Sequence, residues 1–313
     1  MMCFWESSKS GKGTQEMTKR RKEYPRSPNN KVKELLRKEV NYGCPVPGCG
    51  LPFLTWHHFD PPWRERQHQD PAGIVALCPG HAAWADGGAY TKEQLQHFKR
   101  NPFVKDRLTA EWPWQPEKMM VSMGRMYFLG TKPIISFGGS PIISIGKRPT
   151  DCNSSRLISI GIHLRDPGGK TLLRVKDNML DYPILAGSSL EFPPQARSFA
   201  VKHESGVCLN LAHDLLSLDD IEKELNSCSL FSIRTLEELR QSATNSDGLV
   251  SIMRVEGVLR SASVTIESTR DSCVTTLHFY NNERCVERPR LFLPGGSLSV
   301  TMSGEKHSIL SFG

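Results

Sequence analysis

The chain has 313 residues, of which 38% are hydrophobic and 23% charged, with a net charge of +7. This length suits two ordinary domains of roughly 100–200 residues each, and the composition reads as soluble and globular rather than disordered. No apolar run approaches the roughly 18–20 residues that span a bilayer. Glu6, Lys9 and Lys12 interrupt the place where the apolar part of a secretion signal would stand. A cytoplasmic protein with no membrane partner is therefore expected, its nine cysteines serving as thiols or metal ligands rather than disulfides.

The positive charge is local. Residues 1–40 hold eleven Lys and Arg against five Glu. Residues 1–29 read as a flexible basic arm, with Pro25-Arg26-Ser27-Pro28 marking mobile chain. Such an arm is either a solvated tail or a source of salt-sensitive affinity for phosphate. From 30 to 40 the pattern NKVKELLRKEV predicts a helix with Val32, Leu35, Leu36 and Val40 on one side. Residues 42–100 are dense in Cys, His, Pro and Trp and form, with that helix, a first domain at 30–101. Residues 102–119 read as a linker, docked because Trp112 and Trp114 call for cover.

From residue 120 to 313 the apolar period becomes two. Ile158, Ile160, Ile162 and Leu164 alternate with polar residues or glycine. The turn sequence Asp166-Pro167-Gly168-Gly169 follows, a hairpin signal. PIISFGG at 133–139 is nearly repeated as PIISIGK at 141–147, which suggests a local hairpin or stacked strands. Further strand candidates lie at 207–211, 263–268, 274–280 and 297–302, and a helical interruption at 218–239 starts at Ser217 or Asp220. Asp177-Asn178 reads as a turn. The fold class is therefore α+β, with a mostly antiparallel β sandwich or barrel-like domain behind the first unit. His163, His203, His213, His278 and His307 are scattered through this domain and point to no chemistry. A protein or ligand partner for it is an expectation without a motif.

Chemistry concentrates between residues 44 and 86. Cys44 and Cys49 are separated by four residues that include two prolines and a glycine, a tight knuckle able to aim two thiolates at one point. Cys78 and His81 form a second pair. Together they match the ligand number and type of a structural zinc site. The bland alternative is buried thiols and a surface histidine. Cys3 and the five cysteines beyond the linker show no comparable spacing. Between the knuckles lie Trp56-His57-His58-Phe59-Asp60-Pro61. Adjacent histidines on a strand point to opposite faces, or splay around a bend, so one can hold a metal while the other holds a water. Phosphodiester hydrolysis uses those parts, a near-neutral base and a cation for developing charge.

This segment, over roughly residues 30–100, resembles the HNH endonucleases, whose ββα-metal fold carries knuckle, histidine-bearing hairpin, second knuckle and helix. The resemblance implies cleavage of nucleic acid, with DNA as the expected partner. It implies His58 as the general base and His57 as a ligand of one divalent cation (magnesium, manganese, nickel or zinc). It also implies Cys44, Cys49, Cys78 and His81 as ligands of a structural zinc. The chain departs from the family pattern twice. Gly73 stands where an asparagine orients the base, and Ala82 where a histidine binds metal. Three arrangements remain open. Asp86 joins His57 on the cation, with His68 or Asp70 completing the shell; or His81 is itself a catalytic ligand; or the site is degenerate. Arg64 and Arg66 are candidate phosphate contacts, with solvated surface charges as the alternative. Trp56, Trp63 and Trp84 read as packing residues rather than platforms for bases.

Overall fold

In the computed structural model, residues 25–260 are described except for 115, 124–125, 130–134, 138–139, 148–156, 227–236, 238 and 242. Beyond 260 the description is limited to strands. Most of the basic arm, residues 1–24, and parts of the repeat at 133–147, of the helix at 218–239 and of the last strand candidates thus lie outside the described residues, as do Cys3, Cys152, Cys228, Cys273 and His307.

The first unit is built from α1 (Asn30–Glu39), β1 (Thr55–His58), β2 (Ile74–Leu77), α2 (Pro79–Asp86) and α3 (Lys92–Arg100). Asn29 starts α1 by accepting a hydrogen bond from the Val32 amide at 3.1 Å. Leu36 and Val40 are buried and Val32 partly so, but Leu35 is 45% exposed and lies off the apolar face predicted for it. β1 and β2 pair antiparallel, with His57 opposite Val75 and His58 opposite Ile74. Every residue of β2 is buried, against β1 and all three helices of the unit. Thr91 and Gln94 close a capping box at the start of α3. Near its end, Lys99 donates to the carbonyls of Pro71 (3.0 Å) and Ile74 (2.8 Å) and pairs with Glu39. One partly buried ammonium thereby ties α1, α3 and the entry to β2 together.

The back domain has two sheets. In spatial order, one contains Ser308–Phe312, Leu298–Met302, Ile135–Phe137, Ser140–Lys147, Ile158–Arg165, Thr171–Lys176, Met179–Pro183 and β3 (Arg107–Glu111). The main path of the other contains Ser188–Glu191, Ser198–His203, Cys208–Leu216, Val250–Arg260, Val264–Ser268, Thr275–Phe279 and Cys285–Arg288. Side chains from both sheets share one core, including Ile160, Leu173 and Tyr182 from the first and Phe199, Leu211 and Val255 from the second. The sheets do not close into a barrel among the described residues. Pairing is mostly antiparallel, with parallel exceptions such as Met120–Met123 beside Val250–Arg260. The near-repeat pairs with itself as an irregular hairpin. A helix at Leu218–Asn226 interrupts the strands, its start capped by the Ser217 hydroxyl.

One expectation needs correction and another gains a detail. The segment at 102–119 is more than a linker. β3 within it pairs with Met179–Pro183 as the edge of a sheet, and Trp112 and Trp114 are buried in the shared core. Asp177 and Asn178 do take the left-handed backbone of a two-residue hairpin turn, but Asn178 is fully buried. Its side chain accepts from the Ile160 amide and donates to the Ile158 carbonyl, and its own carbonyl accepts from Trp112. No described helix is long and apolar enough to cross a membrane.

Candidate active site and metal centre

The knuckle at 44–49 turns through Gly48 and Gly50, both at positive φ, and is closed by the Gly50 amide on the Cys44 carbonyl at 3.2 Å. Cys78 caps α2, its sulfur accepting from the His81 amide at 3.5 Å, so the helix start brings His81 back over the cysteines. The donor atoms of Cys44, Cys49, Cys78 and His81 all lie within 4.8 Å of one another. A tetrahedral zinc with Zn–S of about 2.3 Å and Zn–N of about 2.0 Å has S···S edges of about 3.8 Å and S···N edges of about 3.5 Å. Here Cys49 Sγ is 3.8 Å from Cys78 Sγ, and His81 Nδ1 is 3.4 Å from Cys44 Sγ and 3.2 Å from Cys78 Sγ. The four can hold a metal such as zinc. Burial pushes the Cys44 and Cys49 thiols up, against ionisation, so a cation is what would favour thiolates in this cluster. His81 sits with the three cysteines rather than with His57.

The histidine pair splays about the end of β1. His57 turns toward α2, where its Nδ1 lies 3.0 Å from Asp86 Oδ1. Its side chain is 10% exposed and that of Asp86 59%. Burial pulls the His57 imidazole below its usual range, and Asp86 opposes that shift. At 3.0 Å the two are in direct hydrogen-bond contact, and the same separation would suit two cis donors about 2.1 Å from an octahedral cation. His58 is buried at the root of the loop that follows. Trp63 lies against it with ring centroids 4.7 Å apart, and His68 meets it edge-on at 5.1 Å. Its Nε2 is buried with no partner among the described residues. Burial, reinforced by the positive charge that His68 and Arg26 would carry beside it, pulls its pKa down to about 4, so the imidazole is neutral at pH 7.

Neither loop residue proposed to complete the cation shell is placed to do so. His68 accepts from the Asp70 amide at Nδ1 (3.2 Å) and reaches the Pro61 carbonyl with Nε2 (3.0 Å), so both ring nitrogens are engaged. Asp70 caps the turn at Pro71–Gly73 through the Ala72 amide. The two departures at 73 and 82 also have local causes. The amides of Phe59 and Asp60 both donate to the Gly73 carbonyl, and a Cβ at 73 would stand 1.8 Å from Asp60 O. The backbone leaves no room for any side chain there. Ala82 is buried in the unit's apolar core, while Ala85 and Asp86 border the site.

His57, His58 and Asp86 border a cavity of about 380 Å³ together with Arg26, Trp63, Arg64, Tyr90 and Lys92. Arg64 lines this cavity. Arg66 is exposed and does not line the cavity. Lys92 is paired with Asp60 at 2.8 Å. Trp63 packs on His58 as expected of a packing residue, and Trp56 lies under the Arg37 guanidinium at 5.1 Å, but Trp84 is 59% exposed. Sequence reasoning missed Arg26, Tyr90 and Lys92. Arg26 had one usable signal: prolines on either side of Arg26-Ser27, directly before a helix cap, make an extended segment able to dock. The chain matches no family model, no curated protein and no solved structure.

Proposed function

We propose that the chain is a metal-dependent endonuclease of the HNH type, acting on nucleic-acid phosphodiesters, DNA foremost. The observation that carries this reading is the 3.0 Å approach of His57 to Asp86 beside a buried neutral His58, at a cavity bordered by three cationic residues. His57 and Asp86 would hold the divalent cation, leaving most of its shell to water and phosphate oxygens, as magnesium-like ions accept. When bound, such a cation stabilises charge on the scissile phosphate and the leaving 3′ oxygen. His58 takes a proton from the attacking water as that oxygen bonds to phosphorus and the phosphorus–O3′ bond breaks. Trp63 and His68 hold the His58 ring in place. A zinc held by Cys44, Cys49, Cys78 and His81 would fix the hairpin against α2 without touching substrate.

The test is nicking of supercoiled plasmid with added magnesium, manganese or nickel. His58→Ala is expected to cut the rate by about 10²–10⁴-fold. Equal cleavage by wild type and variant refutes the role of His58. A second reading is favoured by Gly73 and Ala82, which leave the base without its usual orienting amide and the cation with two protein ligands. In it the unit is a zinc-stabilised nucleic-acid-binding module that does not cut. It predicts salt-sensitive DNA binding, no cleavage with any metal and no effect of His58→Ala.

A further inference from the structure

Residues 25–29 do not behave as part of a free arm. One side chain, Gln69 of the long loop, makes three hydrogen bonds to their backbone. Its Oε1 accepts from the Asn29 amide at 2.9 Å, and its Nε2 donates to the carbonyls of Pro25 (2.8 Å) and Ser27 (3.3 Å). Pro28 is buried, and Asn29 is committed to capping α1. The segment is thus fixed at both ends of a very short span. Arg26, held between these anchors, borders the same cavity as Arg64, His57 and His58. Among the described residues no carboxylate pairs with Arg26 or Arg64, whereas Lys92 already has Asp60.

We infer that 25–29 is a clasp forming one wall of the site, in which Gln69 positions Arg26 so that Arg26 and Arg64 together hold a backbone phosphate of a nucleic-acid strand. Two unpaired guanidinium groups bordering one concavity call for an anion, and their planar donor forks suit phosphate oxygens. The inference rests on the nuclease reading for the identity of the ligand, but not for cleavage. Gln69 is a positioning residue that touches no phosphate itself.

The experiment measures binding of a short DNA duplex by fluorescence anisotropy at several salt concentrations, with no divalent cation added. Removing one phosphate contact lowers the slope of log K against log salt by about 0.9. Arg26→Ala is expected to show that drop, with affinity about tenfold weaker at moderate salt. Gln69→Ala is expected to show the same drop although it removes no charge, and the double variant no further one. Arg66→Ala, outside the cavity, should keep more of the slope than Arg26→Ala. Zinc content at the wild-type level shows that Gln69→Ala has kept its fold, and Arg26→Ala changes only an exposed side chain. A wild-type slope in Arg26→Ala or in a folded Gln69→Ala overturns the clasp, as does additive loss in the double variant. Binding with these slopes but without plasmid cleavage leaves the clasp standing and defeats the nuclease reading. Cleavage with an unchanged slope does the reverse.

Discussion

Cys44, Cys49, Cys78 and His81 close on one another from one chain reversal and a helix start, whereas His57 and Asp86 meet as a lone pair at the rim of an open cavity. The two clusters are joined by α2, which starts at one and ends at the other. Four donors at the first match a structural site, whereas the second, under the proposed function, would leave most of a cation's shell to water and substrate.

The largest effect is expected from breaking the closed cluster. Cys78→Ser removes a ligand and weakens the helix cap, and structural zinc contributes about 10–16 kcal/mol of apparent binding energy to small units of this kind. Metal content should fall from one zinc toward none, and amide protection in β1 and β2 should vanish while the strands of the back domain keep theirs. Retained protection without metal would show that the apolar core alone holds the unit. A smaller effect is expected at the open pair. Asp86→Ala should leave zinc content at one per chain and weaken binding of added manganese by about 10–100-fold, read by calorimetry. Loss of zinc in this variant would mean that the two clusters are not separable. The smallest is a test of the loop that shapes the cavity. Gly73→Ala forces a methyl against Asp60 O and should destabilise the unit by about 1–3 kcal/mol in thermal unfolding. An unchanged midpoint would show that the loop yields freely.

The closed cluster was legible because its ligands come in two local pairs, and a local pair betrays itself by spacing. His57 and Asp86 lie 29 positions apart, and their meeting depends on the register of β1 with β2 and on where α2 ends. The family likeness supplied that pairing and periodicity did not. The clasp was illegible for a stronger reason. Gln69 and Pro25 are 44 residues apart, in segments without periodic pattern, and are joined by a side chain that has no characteristic spacing. β3 was hidden by its neighbours: RLTAE alternates, with Leu108 and Ala110 buried, but the prolines and tryptophans beside it suggested a connector. The hairpin at 158–176 was plain because its alternation and its turn agree. The order of the sheets was not, since strands such as Leu298–Met302 and Ile135–Phe137 lie side by side across most of the back domain's length.

Tyr42 belongs by sequence to the first unit and by packing to the second. Its ring meets Tyr182 edge-on at 5.7 Å inside the two-sheet core, and its hydroxyl donates to the Ser188 carbonyl at 2.8 Å. Arg37 likewise crosses over to Glu191 at 2.5 Å. Truncation at the connector would therefore open a hole in one fragment and leave a bare phenol and an unneutralised guanidinium on the other. Neither half, expressed alone, would be a faithful stand-in for itself within the whole chain.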